Sequence, residues 1–126
     1  MVRKKAVLIV EDDRDIREVL CELLEMEGYV VHTAVNGRDG VERVTEIPGL
    51  SLVIVDYRMP HMDGYEFRLA QLQHASLAQI PTILMSADSS FAPEIPEAFT
   101  AFLPKPLSLD SVLEVVARYT SEMQTA

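Results

Sequence analysis

The sequence predicts an α/β domain built on a doubly wound, five-stranded parallel sheet. Three observations predict it: five short apolar runs, longer stretches of helical period between them, and acidic or proline-glycine breaks where the runs end. Fully apolar runs mean strands covered on both faces, and helices on either side of a parallel sheet supply that cover.

The first run, residues 6–10, ends in Glu11-Asp12-Asp13. From Ile16 the period changes, because Ile16, Val19, Leu20, Leu23 and Leu24 share one helical face, the face expected to be buried. Gly28 stands where a left-handed helix stop belongs. Residues 29–34 read as the second strand. Asn36-Gly37 opens a weaker helix through Ile47, and Pro48-Gly49 stops it. Residues 52–55 form the third run, which ends at Asp56. A turn-rich loop with Pro60 and Asp63-Gly64 leads into a helix over about residues 65–73. The fourth strand, residues 80–85, is entered through Pro81 and left at Ser86. Phe102 and Leu103 make a short fifth strand, followed by Pro104-Lys105-Pro106. A last helix spans about residues 109–123, with Leu109, Val112, Leu113 and Val116 on its buried face.

Right-handed crossovers then favour the flavodoxin-like strand order 2-1-3-4-5. Pro104 agrees with it, since a proline lacks a ladder donor and suits an edge strand. Between the fourth and fifth strands, Pro93 and Pro96 forbid a long regular helix, at a cost of about 3 kcal/mol for an interior proline. A short or unwound fourth helix within residues 93–100 is expected.

A chain of 126 residues suits one domain, residues 1–126, with 48% hydrophobic and 25% charged residues. The net charge of −9 argues against a direct nucleic-acid partner, and Arg3-Lys4-Lys5 is too short a run to reverse that. No apolar run approaches membrane-spanning length, so no membrane insertion is expected. Cys21 is the sole cysteine and lies in an apolar helical pattern, which suits a small buried hydrophobe in a reducing, cytoplasmic setting. His32, His61 and His74 have no metal-ligand spacing. Nucleotide-binding glycine loops are absent.

In such sheets ligands bind beyond the carboxyl ends of the strands, where the strand order reverses. Glu11-Asp12, Asp56, Ser86 and Lys105 all fall at that rim. Singly, each has an ordinary reading: helix-start acids, a turn aspartate, a loop hydroxyl and a solvated amine. Together, crowded carboxylates raise one another's pKa unless a cation neutralises them. Mg²⁺ fits, because it takes oxygen ligands from one or two carboxylates and from phosphate.

The segments VLIVEDD, LVIVDYRMPHMDG, PTILMSA and FLPKPL resemble, in order, the four signature stretches of response-regulator receiver domains. The resemblance runs from Ala6 to about Met123. It implies a phosphoacceptor switch of a two-component or phosphorelay system, which catalyses only its own phosphorylation and dephosphorylation. By position, Asp56 is then the phosphoacceptor, and Asp12 a direct Mg²⁺ ligand with Glu11 acting through water. The main-chain carbonyl of Arg58 completes the coordination. Ser86 and Lys105 bind the phosphoryl group, and Phe102 is the aromatic rotamer switch. The Lys105-Pro106 bond is expected to be cis. Arg58 and Asp88 flank the phosphoryl group and are expected to pair across the mouth of the site. The implied partners are a sensor histidine kinase or histidine phosphotransfer protein, and a downstream protein or fused output domain. Beside the family pattern, the stretch before Lys105 is short, which weighs against dimerisation through that face. The rival readings are a pseudo-receiver interaction module and an aspartyl phosphohydrolase. The first expects a lost Asp56 or Lys105, and the second expects an acid where Arg58 stands.

Overall fold

The computed structural model describes residues 5–88 and 90–121. Five strands, β1 (Ala6–Val10), β2 (Val30–Ala34), β3 (Leu50–Asp56), β4 (Thr82–Ser86) and β5 (Ala101–Pro104), form one sheet. All neighbours are parallel and the order is β2-β1-β3-β4-β5, as the sequence predicts. Alternation along β1 splits the core in two. Val7 and Ile9 face α1 (Arg14–Met26) and α6 (Leu109–Thr120) through Leu20, Leu24, Val112 and Val116. Leu8 and Val10 face α2 (Gly37–Glu46) and α3 (Gly64–Leu72) through Val44 and Phe67. Cys21 is half-buried and packs on the first of these clusters. Among the described residues, no helix is long and apolar enough to cross a membrane.

Capping fixes where the helices begin. Asp13 accepts from the N–H groups of Asp15 and Ile16 ahead of α1, and Asn36 accepts from Asp39 N–H ahead of α2. Asp63 and Glu66 form a reciprocal capping box at α3. Gly28 has φ +94°, the left-handed stop expected after α1.

Several boundaries differ from the sequence reading. β3 starts at Leu50 and includes Asp56, so the aspartate is held by the sheet and not by the loop. β4 starts only at Thr82, because Pro81 has no N–H to contribute to the ladder. A single-turn helix, α4 (Ala75–Ala78), follows α3 unannounced, since His74 gives it no side-chain cap. Its Leu77 carbonyl is held instead by the Gln71 amide at 2.9 Å. The irregular stretch before β5 contains one turn, α5 (Glu94–Glu97), within the expected limits. Pro93 stands at its N-cap and Pro96 in its first turn, where no intrahelical N–H is lost.

Two residues assigned to buried faces are not buried. Val19 is 49% exposed and Leu109 is 47% exposed. Both line an apolar groove between the start of α1 and the β5–α6 loop, so the sheet never reaches them. α6 ends at Thr120, and Met123 lies outside the described residues.

Candidate functional site

The sheet order places the ends of β1 and β3 side by side, with Val10 paired to Val55 just before Glu11 and Asp56. Ligand oxygens of Glu11, Asp12 and Asp56 lie within 4.8 Å of one another. Glu11 is fully buried, Asp56 is buried and Asp12 is exposed. From the far side of the sheet, Lys105 follows β5 and its backbone N–H donates to the Ser86 carbonyl at 2.9 Å. Its ammonium donates to Glu11 Oε1 at 2.8 Å, and lies 2.9 Å from Asp56 Oδ1. The Lys105-Pro106 bond is cis. Sequence reasoning places Glu11, Asp12, Asp56 and Lys105 at one rim, and the structure brings the three acids together with Lys105 within ion-pair reach of Glu11 and Asp56.

Electrostatics follows from that crowding. Burial raises the Glu11 carboxyl above its ordinary value, and the Lys105 hydrogen bond only partly opposes it. Asp56 is raised for the same reason, with Lys105 again opposing and the nearby Asp12 charge adding to the rise. For Lys105, burial works against the charged form, yet the bonds to Glu11 and Asp56 outweigh it and the ammonium pKa is raised. One ammonium thus serves two carboxylates, and the site remains short of positive charge.

Around this centre, Ser86 is buried and its Oγ accepts from Asp88 N–H at 3.0 Å. Arg58 and Asp88 form the expected pair, with Nη2 to Oδ2 at 3.0 Å. Backbone bonding to Ser90 and the Arg58 contact hold the Asp88 carboxyl below its usual range. Phe102 is half-buried on β5. Gly64 is required by proximity: a Cβ there would stand 2.6 Å from the Asp56 carbonyl oxygen and 3.0 Å from Tyr57 Cα. Both are backbone atoms, so neither gives way cheaply.

Three features escaped the sequence reading. Arg17, one turn into α1, donates to the carbonyl of Glu11 at 2.8 Å and that of Asp12 at 3.5 Å, which fixes the acidic turn. Arg68 is 7% exposed and donates to Ala98 O, Thr82 Oγ1 and Ile80 O, and burial lowers its pKa. Its signal was the Arg68–Gln71 spacing, which puts both on one side of α3. Phe91 lies edge-on to Tyr57 and to Phe102.

Carboxylate oxygens converging beside a shared ammonium make a donor set suited to a hard divalent cation, so the residues present can hold one. Known proteins agree with the architecture. The chain is 36% identical over 114 residues to the sensor kinase CckA of Brucella abortus, covering 87% of this chain and 12% of that protein. It is 29% identical over 115 residues to the two-component response regulator ORR7 of rice (Oryza sativa subsp. japonica), covering 89% of this chain and 55% of that one. It therefore spans only part of the length of these curated relatives. The crystal structure of the response regulator TrrA from Thermotoga maritima, in complex with Mg²⁺ and BeF, superposes with a TM-score of 0.82. That pair is 29% identical over 91% of this chain and 98% of TrrA. The family model described as the response regulator receiver domain matches residues 7–117, and the chain belongs to that family, which serves two-component systems.

Proposed function

We propose that this chain is an active phosphoacceptor, with Asp56 taking a phosphoryl group from a phosphohistidine in a Mg²⁺-dependent reaction. The observation that carries the reading is the Asp56 carboxylate held at the end of β3, 2.9 Å from the Lys105 ammonium and within 4.8 Å of the other two acids. In the reaction one Asp56 oxygen forms a bond to phosphorus as the bond to the histidine nitrogen breaks, and the imidazole leaves with that electron pair. Glu11, Asp12, Asp56 and the Arg58 carbonyl would hold Mg²⁺, which would supply neutralisation of the phosphoryl charge. Lys105 leaves its carboxylates to pair with a phosphoryl oxygen, and Ser86 Oγ turns from Asp88 N–H to donate to another. Phe102 then turns toward the space that Ser86 vacates, which repacks the surface around β4 and β5.

The donor must seat itself against the rim. The groove of about 290 Å³ lined by Ile16, Val19, Leu20, Leu107 and Leu109 adjoins it through Lys105, and offers apolar contact to a helix of a histidine kinase or phosphotransfer protein. A downstream protein or a fused output domain reads the switched face, in a cytoplasmic setting.

The test is incubation with Mg²⁺ and a small-molecule phosphodonor, followed by intact mass measurement of the wild type and Asp56→Asn. One acid-stable, base-labile phosphoryl group is expected on the wild type alone. An unmodified wild type would make the chain a passive interaction module.

A further inference from the structure

The two residues that follow Asp56 both grip the stretch between β4 and β5. Arg58 holds Asp88 by an ion pair, and Tyr57 holds Phe91 by an edge-to-face contact with ring centroids 4.9 Å apart and planes at 75°. Phe91 in turn meets Phe102 at 6.0 Å and 81°. All three rings are half-buried. Phe91 therefore joins the backbone beside the phosphoacceptor to the ring expected to move. A contact formed in one state and lost in the other biases the equilibrium toward the first.

We propose that Phe91 is a brake on the switch: packed on Tyr57, it holds Phe102 in the resting position and releases it when the phosphoryl group arrives. The inference rests on the phosphoacceptor reading above. Because coupling is reciprocal, whatever holds the resting state also weakens binding of the phosphoryl group or its mimic by the same factor. An aromatic pair of this geometry corresponds to a factor of about two to ten.

The wild type, Phe91→Ala and Phe91→Tyr are titrated with beryllium fluoride in the presence of Mg²⁺, each also in a Phe102→Ala background. Affinity is read from backbone amide resonances around Asp56, and the Phe102 ring from its aromatic resonances. Phe91→Ala should bind the mimic about two to ten times more tightly, and its Phe102 resonances should lie nearer their bound positions before any addition. Phe91→Tyr should behave as the wild type, and the gain should vanish once Phe102 is alanine. Phe91→Leu, which keeps apolar bulk without a ring edge, carries the same expectation should the alanine variant unfold. Unchanged or weaker binding overturns the proposal, and so does an equal gain without the Phe102 ring, which would mark a general loosening of the loop. If the wild type binds no beryllium fluoride, the phosphoacceptor reading falls and the brake with it. If the wild type binds and only the Phe91 expectations fail, the brake alone is lost.

Discussion

Lys105 shows how much a single side chain decides at this rim. Its ammonium is the one positive group within ion-pair distance of Glu11 and Asp56 among the described residues, and both carboxyls remain raised by burial despite it. The Arg58–Asp88 pair is a different kind of contact, exposed on the arginine side and so weak in itself. If the pair covers the mouth of the site, replacing both residues with alanine should speed acyl-phosphate hydrolysis by about two- to fivefold. A phosphoryl decay rate equal to that of the wild type would remove Arg58 and Asp88 from the account. At this scale the sequence was legible wherever chemistry comes from charged residues at strand ends, since the rim follows from strand order alone. Arg17, Arg68 and Phe91 were not legible. Their partners are backbone carbonyls or a ring distant in sequence, and the Arg68–Gln71 spacing marks a shared side of α3 without naming what either side chain bonds.

Elements carry the next set of constraints. The contact of Gly64 with the Asp56 carbonyl lets α3 start directly over the end of β3. Gly64→Ala must push one of two backbones aside, and a loss of about 1–3 kcal/mol is expected, with weakened Mg²⁺ binding because the displaced backbone belongs to Asp56. Urea denaturation together with Mg²⁺ titration checks this, and a variant as stable as the wild type would contradict it. Arg68 secures the other side of the molecule. It bonds the C-terminal carbonyl of the short α5, Ala98 O, at 2.8 Å, and through Thr82 Oγ1 reaches Gln71. Arg68→Ala strands those acceptors and leaves a cavity, which predicts a loss of about 2–4 kcal/mol. Amide exchange should show the damage concentrated in residues 90–100, and uniform exchange across the sheet would argue against it. The prolines already made a long helix in this stretch untenable, so its brevity was readable. What holds the remaining turn in place was not.

For the whole molecule, the two raised carboxyls link folding to pH. A raised acid makes the folded state the better proton binder. That contribution to stability is fully present below the ordinary carboxylate range and is lost as pH rises through the raised values of Glu11 and Asp56. Once ionised, both carboxyls carry the cost of their burial in the folded protein, which Mg²⁺ bound at the proposed site would offset. Mg²⁺ at about ten times its dissociation constant should stabilise the domain by about 1.4 kcal/mol. Thermal melts should show that gain shrinking as pH falls through the raised values, and a pH-independent gain would refute the linkage. The five-stranded order came directly from fully apolar runs and crossover handedness, which are properties of the whole chain rather than of any motif.

Pro104 has a further effect, on the molecule's dealings with its own kind. β5 is an edge strand of only four residues and ends at Pro104, just before Lys105 donates its N–H to the Ser86 carbonyl. Proline has no amide hydrogen, so this short border lacks one of the donors a further strand would use. A stray strand from a neighbouring copy meets a brief and interrupted ladder there, which disfavours edge-to-edge growth on that flank.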